Sequence, residues 1–278
     1  MDAQVVSLVL ALLAAGCLTG IVAGLFGLGG GAIMVPVLKY TFEALGYSEA
    51  VTMHMAVATS TSVVIIAALR STQGHHKKGV VDWPLIWSKN LFKSWGVWIG
   101  LGALLAAAFL APNLSGRQLT ILFATVIVPV SLQFIFGRPG WKLAEDIPAG
   151  LAPPIGGLGL GGLCALMGVG FGSIGVTLQI IFGRRIHQAI GTAAALGFFI
   201  GAPATAGYII SGLGVEGRPP FSWGYVNLLG FALMAAATFI FVPYGVRLAH
   251  KLSQDKLRMV FGLCLLAIAV NMLRKTLF

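Results

Sequence analysis

The stretch GLFGLGGG, Gly24–Gly31, decides how this chain folds. It sits inside an uncharged run that otherwise has the composition of a membrane helix. Glycine costs about 0.8–1 kcal/mol against alanine in a helix interior, yet five of these eight positions are glycine. The uncharged run around them covers 36 residues, 3–38. As one straight helix it would reach about 54 Å, whereas a bilayer core is about 30 Å thick. The run must therefore break and turn, and the glycines mark the place.

A second run of the same kind covers 37 residues, 147–183. Laid without gaps on Gly161–Gln179, the segment Gly20–Leu38 is identical at Gly20/Gly161, Leu25/Leu166, Gly27/Gly168, Gly29/Gly170, Gly31/Gly172, Ile33/Ile174 and Val35/Val176. The correspondence continues in order. HMAVAT (His54–Thr59) matches HQAIGT (His187–Thr192), Trp83 matches Trp223, and LSGRQLTILF (Leu114–Phe123) matches LSQDKLRMVF (Leu252–Phe261). Glycine-rich composition explains the first match but not the ordered series. The chain reads as two homologous repeats, 1–137 and 138–278.

Composition agrees. Hydrophobic residues make up 58% of the 278 and charged residues only 9%, against about 25% charged in soluble domains. Lipid is the solvent for most of this chain. The net charge of +10 first suggests nucleic acid, but the basic residues flank apolar runs, as in membrane proteins, and no RNA-binding motif accompanies them. Cys17, Cys164 and Cys264 lie in apolar runs without redox or metal spacing and read as small buried residues. His75 and His76 have no carboxylate or cysteine beside them, so no metal or other cofactor is expected. No basic residue precedes the first apolar run, which argues against a cleaved signal peptide.

The remaining uncharged runs, 50–69, 94–116, 118–137, 186–215, 219–246 and 259–273, suit single crossings. If each long run enters, breaks and returns, Lys39, Arg117, Arg218, Arg274 and Lys275 face one side, and the other 13 Lys and Arg face the opposite side. If each long run crosses once, the split is 10 to 8. The 13-to-5 split obeys the positive-inside rule and inverts the halves. The expected fold is thus an all-α, polytopic protein of the cell (inner) membrane. Each inverted half has a glycine-broken, re-entrant first segment followed by three transmembrane helices, and both termini lie outside.

Broken backbone at membrane depth needs shelter from lipid. Beyond each break a helix begins, near Gly31 and near Gly172, and free N–H groups at a helix start favour anions. Gly29, Gly30 and Gly31, with Gly170, Phe171 and Gly172, are therefore candidate substrate contacts. Close helix packing is the competing reading, because Gly20/Gly24, Gly27/Gly31 and Gly197/Gly201 have small-xxx-small spacing.

GIVAGLFGLGGGAIMVPVL (Gly20–Leu38) and its second copy GGLCALMGVGFGSIGVTL (Gly161–Leu178) resemble the TauE/SafE family of membrane permeases over essentially the whole chain. The second copy departs from the first at Phe171, in place of Gly30, and at Thr177, in place of Pro36. The resemblance implies transport of sulfur-containing anions such as sulfite or sulfoacetate, often by export.

His54, Thr59 and Ser60 in the first half, and His187, Gln188 and Thr192 in the second, are the other candidate contacts; interhelical hydrogen bonding is the competing role. Gln133 and Asn271 occupy matching places in the last span of each half. No carboxylate lies inside an uncharged run, so nothing marks a proton path at depth, and the membrane potential is the expected driving force. The expected partners are a small anion and the bilayer; the oligomeric state is left open, a homo-oligomer included. The alternatives are a cation-coupled importer of a compound such as thiosulfate, working through His54 or His187, an intramembrane enzyme and a non-transporting subunit. No HExxH, GxSxG or buried carboxylate favours the enzyme.

Overall fold

The computed structural model describes residues 3–26, 30–137, 147, 150–248 and 254–277. Among them, residues 3–137 contribute α1 (Ala3–Phe26), α2 (Gly31–Ala44), α3 (Glu49–His76), the single turn α4 (Trp83–Ile86), α5 (Trp95–Leu105) and α6 (Gly116–Phe136). After Leu105, α5 continues through a π turn, Ala106–Leu110, and a 3-10 turn, Ala111–Asn113. Residues 150–277 contribute α7 (Ala152–Met167), α8 (Gly172–Ile181), α9 (Ile186–Ser211), a hairpin of β1 (Ser222–Trp223) and β2 (Val226–Asn227), α10 (Leu228–Leu248) and α11 (Gln254–Leu277).

Five of the described helices are long and apolar enough to cross a membrane: Glu49–His76, Trp95–Asn113, Gly116–Phe136, Ile186–Ser211 and Leu228–Leu248. The chain is an all-α polytopic membrane protein. Helix α11 has 24 residues, with Asp255, Lys256, Arg258, Arg274 and Lys275 near its ends and an uncharged run, 259–273, between them. Local sequence sets several helix starts. The Ser48 hydroxyl accepts from Ala50 N–H at the head of α3, and Ser115 and Gln118 form a capping box on α6.

Both long runs are broken at their glycines. Helix α1 stops at Phe26 and α2 starts at Gly31; Gly27, Leu28 and Gly29 lie outside the described residues. Gly30 has φ 71°, a conformation that side chains with a Cβ rarely adopt. The chain has doubled back, because a Cβ on Gly30 would lie 2.8 Å from the Thr19 Cβ, about two turns before the end of α1. In the second long run, α7 ends on Gly168 at φ 67°. Val169 N–H bonds to Cys164 C=O, the closing bond of a Schellman motif.

Helix directions follow from the close contacts. Along α1, Gly16, Gly20 and Gly24 meet Met234–Ala237, Thr238–Phe241 and Val242–Val246 in turn, so α1 and α10 run the same way. Along α7, Gly157 meets Trp98 and Gly162 meets Ala106, so α7 and α5 also run the same way. Helices α3 and α9 run in opposite directions: Thr205 meets Thr61, Gly201 meets Ile65, Gly197 meets Ala68, and Gly191 meets His75. These two are the most enclosed of the five long helices, with 83% and 61% of their apolar windows buried, and form the centre. The close-packing reading therefore holds for Gly20/Gly24, on α10, and for Gly197/Gly201, on α3. Cys164 is buried, Cys17 partly so, and Cys264 is exposed on α11; for Cys264 the buried reading is corrected, since α11 offers that position to the surroundings and not to a neighbouring helix.

Candidate functional site

The two broken segments meet. A Cβ on Gly31 would lie 2.2 Å from the Gly168 carbonyl oxygen and 2.7 Å from the Val169 Cα, so the start of α2 rests directly on the backbone that ends α7. Only glycine allows that approach. Gly168 in turn lies against Val57 and Val35. Ser60, fully buried near the middle of α3, donates to the Gly168 carbonyl at 2.7 Å. Helix α3 thus braces the meeting point of the two breaks. No side chain among the described residues caps the start of α2 or of α8. Gly30, Gly31, Gly170, Phe171 and Gly172 are all buried; Gly29 lies outside the described residues.

Phe171 does more than replace Gly30. Its ring covers Gly175, where a Cβ would come within 2.1 Å of it, and it closes one side of a small apolar cavity of about 40 Å³ beside α8. Gln179 reaches the same cavity, and its Nε2 donates to the Gly175 and Ala189 carbonyls.

The other predicted residues fall into two groups, away from the breaks. Thr59 accepts from Asn227 N–H at 3.0 Å, and Thr192 accepts from Asp82 N–H, also at 3.0 Å. Each hydroxyl, fully buried, fastens the segment that leads into the opposite half's packing. Gln188 Nε2 is 3.4 Å from Asp82 Oδ2, and Arg184 bridges the same carboxylate at 3.0 Å. The Asp82–Arg184 pair is only partly exposed and is not legible in the sequence, because Asp82 lies in the charged segment between two uncharged runs and Arg184 at the edge of another. The duplicated threonines were the available signal. His187 is half-buried at the head of α9.

His54 is tied into the backbone. Its Nδ1 lies 3.2 Å from the Ala50 oxygen, and its Nε2 lies 3.1 and 3.0 Å from the oxygens of Ala111 and Leu114. Its ring stacks on Tyr225, with centroids 5.1 Å apart. Burial raises the Tyr225 hydroxyl above the usual tyrosine value, with Arg218 acting the other way. The imidazole clips α3 to the α5–α6 corner, and its ring nitrogens face carbonyls.

Gln133 and Asn271 hold the short helices. Gln133 Oε1 accepts from Thr177 on α8 at 2.8 Å, and Asn271 Nδ2 donates to Tyr40 on α2 at 3.2 Å. On α2, Lys39 is buried and paired with Glu43. Its position at the edge of the first uncharged run gave no sign of that burial. His76 Nδ1 accepts from the Trp83 indole at 3.1 Å.

A family model described as "Sulfite exporter TauE/SafE" matches residues 12–272. A probable membrane transporter protein of Haemophilus influenzae is 29% identical over 267 residues, 96% of this chain and 98% of that protein. The probable membrane transporter protein YunE of Bacillus subtilis is 23% identical, over 95% and 96% of the two chains. A probable membrane transporter protein of Methanocaldococcus jannaschii is 24% identical over 90% of each. No solved structure matches the chain.

Proposed function

We propose, from the premise that this chain belongs to the TauE/SafE family and is a membrane transporter, that it carries small sulfur-containing anions such as sulfite or organosulfonates outward across the cell membrane. The observation that supports this most is the contact of Gly31 with Gly168–Val169. Two interrupted segments share one place, next to the head of α2. Amides at a helix start lack intrahelical acceptors and carry the positive end of the dipole, and discontinuous helices at the midplane form such sites in secondary transporters. Ser60, Gly30 and Gly31 surround this point, while Phe171 and Gly172 belong to the corresponding start of α8. The remaining predicted residues, His54, Thr59, His187, Gln188 and Thr192, serve in this reading to position the helices around the site. Gly170 shapes the second break, and Gly29 keeps its proposed role at the first.

The halves 1–137 and 138–278 are inverted in this reading, with both termini outside. In support, α3 and α9, which share the HxxxxT pattern, run antiparallel, and α1–α10 is matched by α7–α5. Alternating access comes from one half rocking against the other. Export is driven by the membrane potential, which supplies about 2.3 kcal/mol per unit charge at 100 mV, roughly fifty-fold accumulation of a monoanion outside. The alternative of cation-coupled import through His54 has less support, because both ring nitrogens face backbone carbonyls.

The test is flux of sulfite, sulfoacetate and sulfate from proteoliposomes at clamped potentials. Sulfite or sulfonate efflux that rises with an inside-negative potential is expected. Flux indifferent to potential rejects electrogenic export, and no flux of any sulfur anion rejects the substrate class.

A further inference from the structure

Away from the breaks, the ends of α3 and α10 border an open groove of about 280 Å³. Four cations line it, Arg70, Lys77, Lys78 and Arg247, and among the described residues no carboxylate does. Pro243 and Val246 form its apolar wall, and a Cβ on Gly74 would lie 3.0 Å from a Val246 methyl. Arg70 is set in advance. Its guanidinium lies 4.1 Å from the centre of the Phe239 ring, one of its terminal nitrogens donates to Gln73 at 3.2 Å, and its Nε is covered without an acceptor.

From this geometry we infer that the groove binds the phosphate of an anionic glycerophospholipid. The cations select a phosphate group. The choice of a lipid over a soluble phosphate comes from what adjoins them. Phe239, Ile240 and Tyr244 are 48%, 57% and 54% exposed on the same helix, and α10 is apolar enough to cross the membrane. Phe239 thus offers its ring both to Arg70 and to the acyl region. A molecule with a negative head and hydrocarbon directly beneath it fits this surface, as basic pockets between helix ends fit anionic lipid heads. The mobile stems of Lys77 and Lys78, both exposed, reach around such a head from the water side.

The experiment uses the full-length protein in neutral detergent, with native mass spectrometry and melting temperature as readouts. Phosphatidylglycerol and phosphatidylcholine with the same acyl chains are titrated in parallel. At least tenfold higher retention of phosphatidylglycerol is expected, with a rise in melting temperature that phosphatidylcholine does not give. K77Q/K78Q, which changes exposed side chains only, is expected to lower the preference at least threefold, and Arg70→Gln to lower it further. Equal retention of the two lipids, or an unchanged preference in K77Q/K78Q, overturns the proposal. Displacement of the lipid by millimolar glycerol 3-phosphate overturns the lipid as the source of the phosphate. The transport site is not involved in any arm, so these outcomes stand apart from the flux measurements.

Discussion

Thr59 and Thr192 each accept a backbone N–H from a segment far away in sequence, Asn227 and Asp82. Replacement by valine keeps the shape and removes the acceptor. A buried N–H left without a partner costs about 1–3 kcal/mol. Thr59→Val and Thr192→Val are therefore each expected to lower thermal stability in detergent, by similar amounts, without changing the apparent affinity for the anion. A large change in affinity with unchanged stability would return these hydroxyls to the substrate. The repeated HxxxxT pattern made both pairs visible in the sequence. Its purpose was not visible, because a five-residue step turns the two side chains about 140° apart, and each finds a different neighbour: His54 the α5–α6 corner, Thr59 the start of α10.

At the scale of elements, the head of α2 depends on a close approach between backbones. Gly31→Val places a branched side chain where even a Cβ would stand 2.2 Å from the Gly168 oxygen. Flux in proteoliposomes is expected to fall at least tenfold. Gly46→Ala serves as the control for loss of a glycine on the same helix's far end, since nothing lies within 4 Å of its Cβ position; its left-handed φ of 82° costs about 1–2 kcal/mol and leaves flux near wild type. Equal loss in both variants would assign the effect to general destabilisation and not to the meeting of the breaks. Run length against bilayer thickness placed both breaks in the sequence. Their contact with each other was out of reach, because 137 residues separate Gly31 from Gly168 and no local pattern reports such a distance.

At the scale of the molecule, the proposed inversion makes a prediction about sides. Lys78, after α3, and Leu213, after α9, lie at opposite ends of the antiparallel pair and are both exposed. In a variant lacking Cys17, Cys164 and Cys264, a membrane-impermeant maleimide is expected to label Leu213→Cys in intact cells, and Lys78→Cys only after lysis. The reverse pattern would place the termini inside and overturn the reading of the 13-to-5 charge split. Labelling of both in intact cells would place the two loops on one side and reject the topology.

The sequence by itself determined the solvent, the helical class and the position of both breaks, since these follow from hydropathy and run length along the chain; the ordered identities carry the proposal of an internal repeat. The tertiary structure alone decided which groups are neighbours: Gly31 on Gly168, Ser60 bracing their contact, His54 turned toward carbonyls, and Asp82 drawn to Arg184. The physical reason is that hydropathy measures how each segment meets lipid, whereas the use of a polar group inside a bundle is set by whichever partner the packing of distant helices brings within about 3 Å.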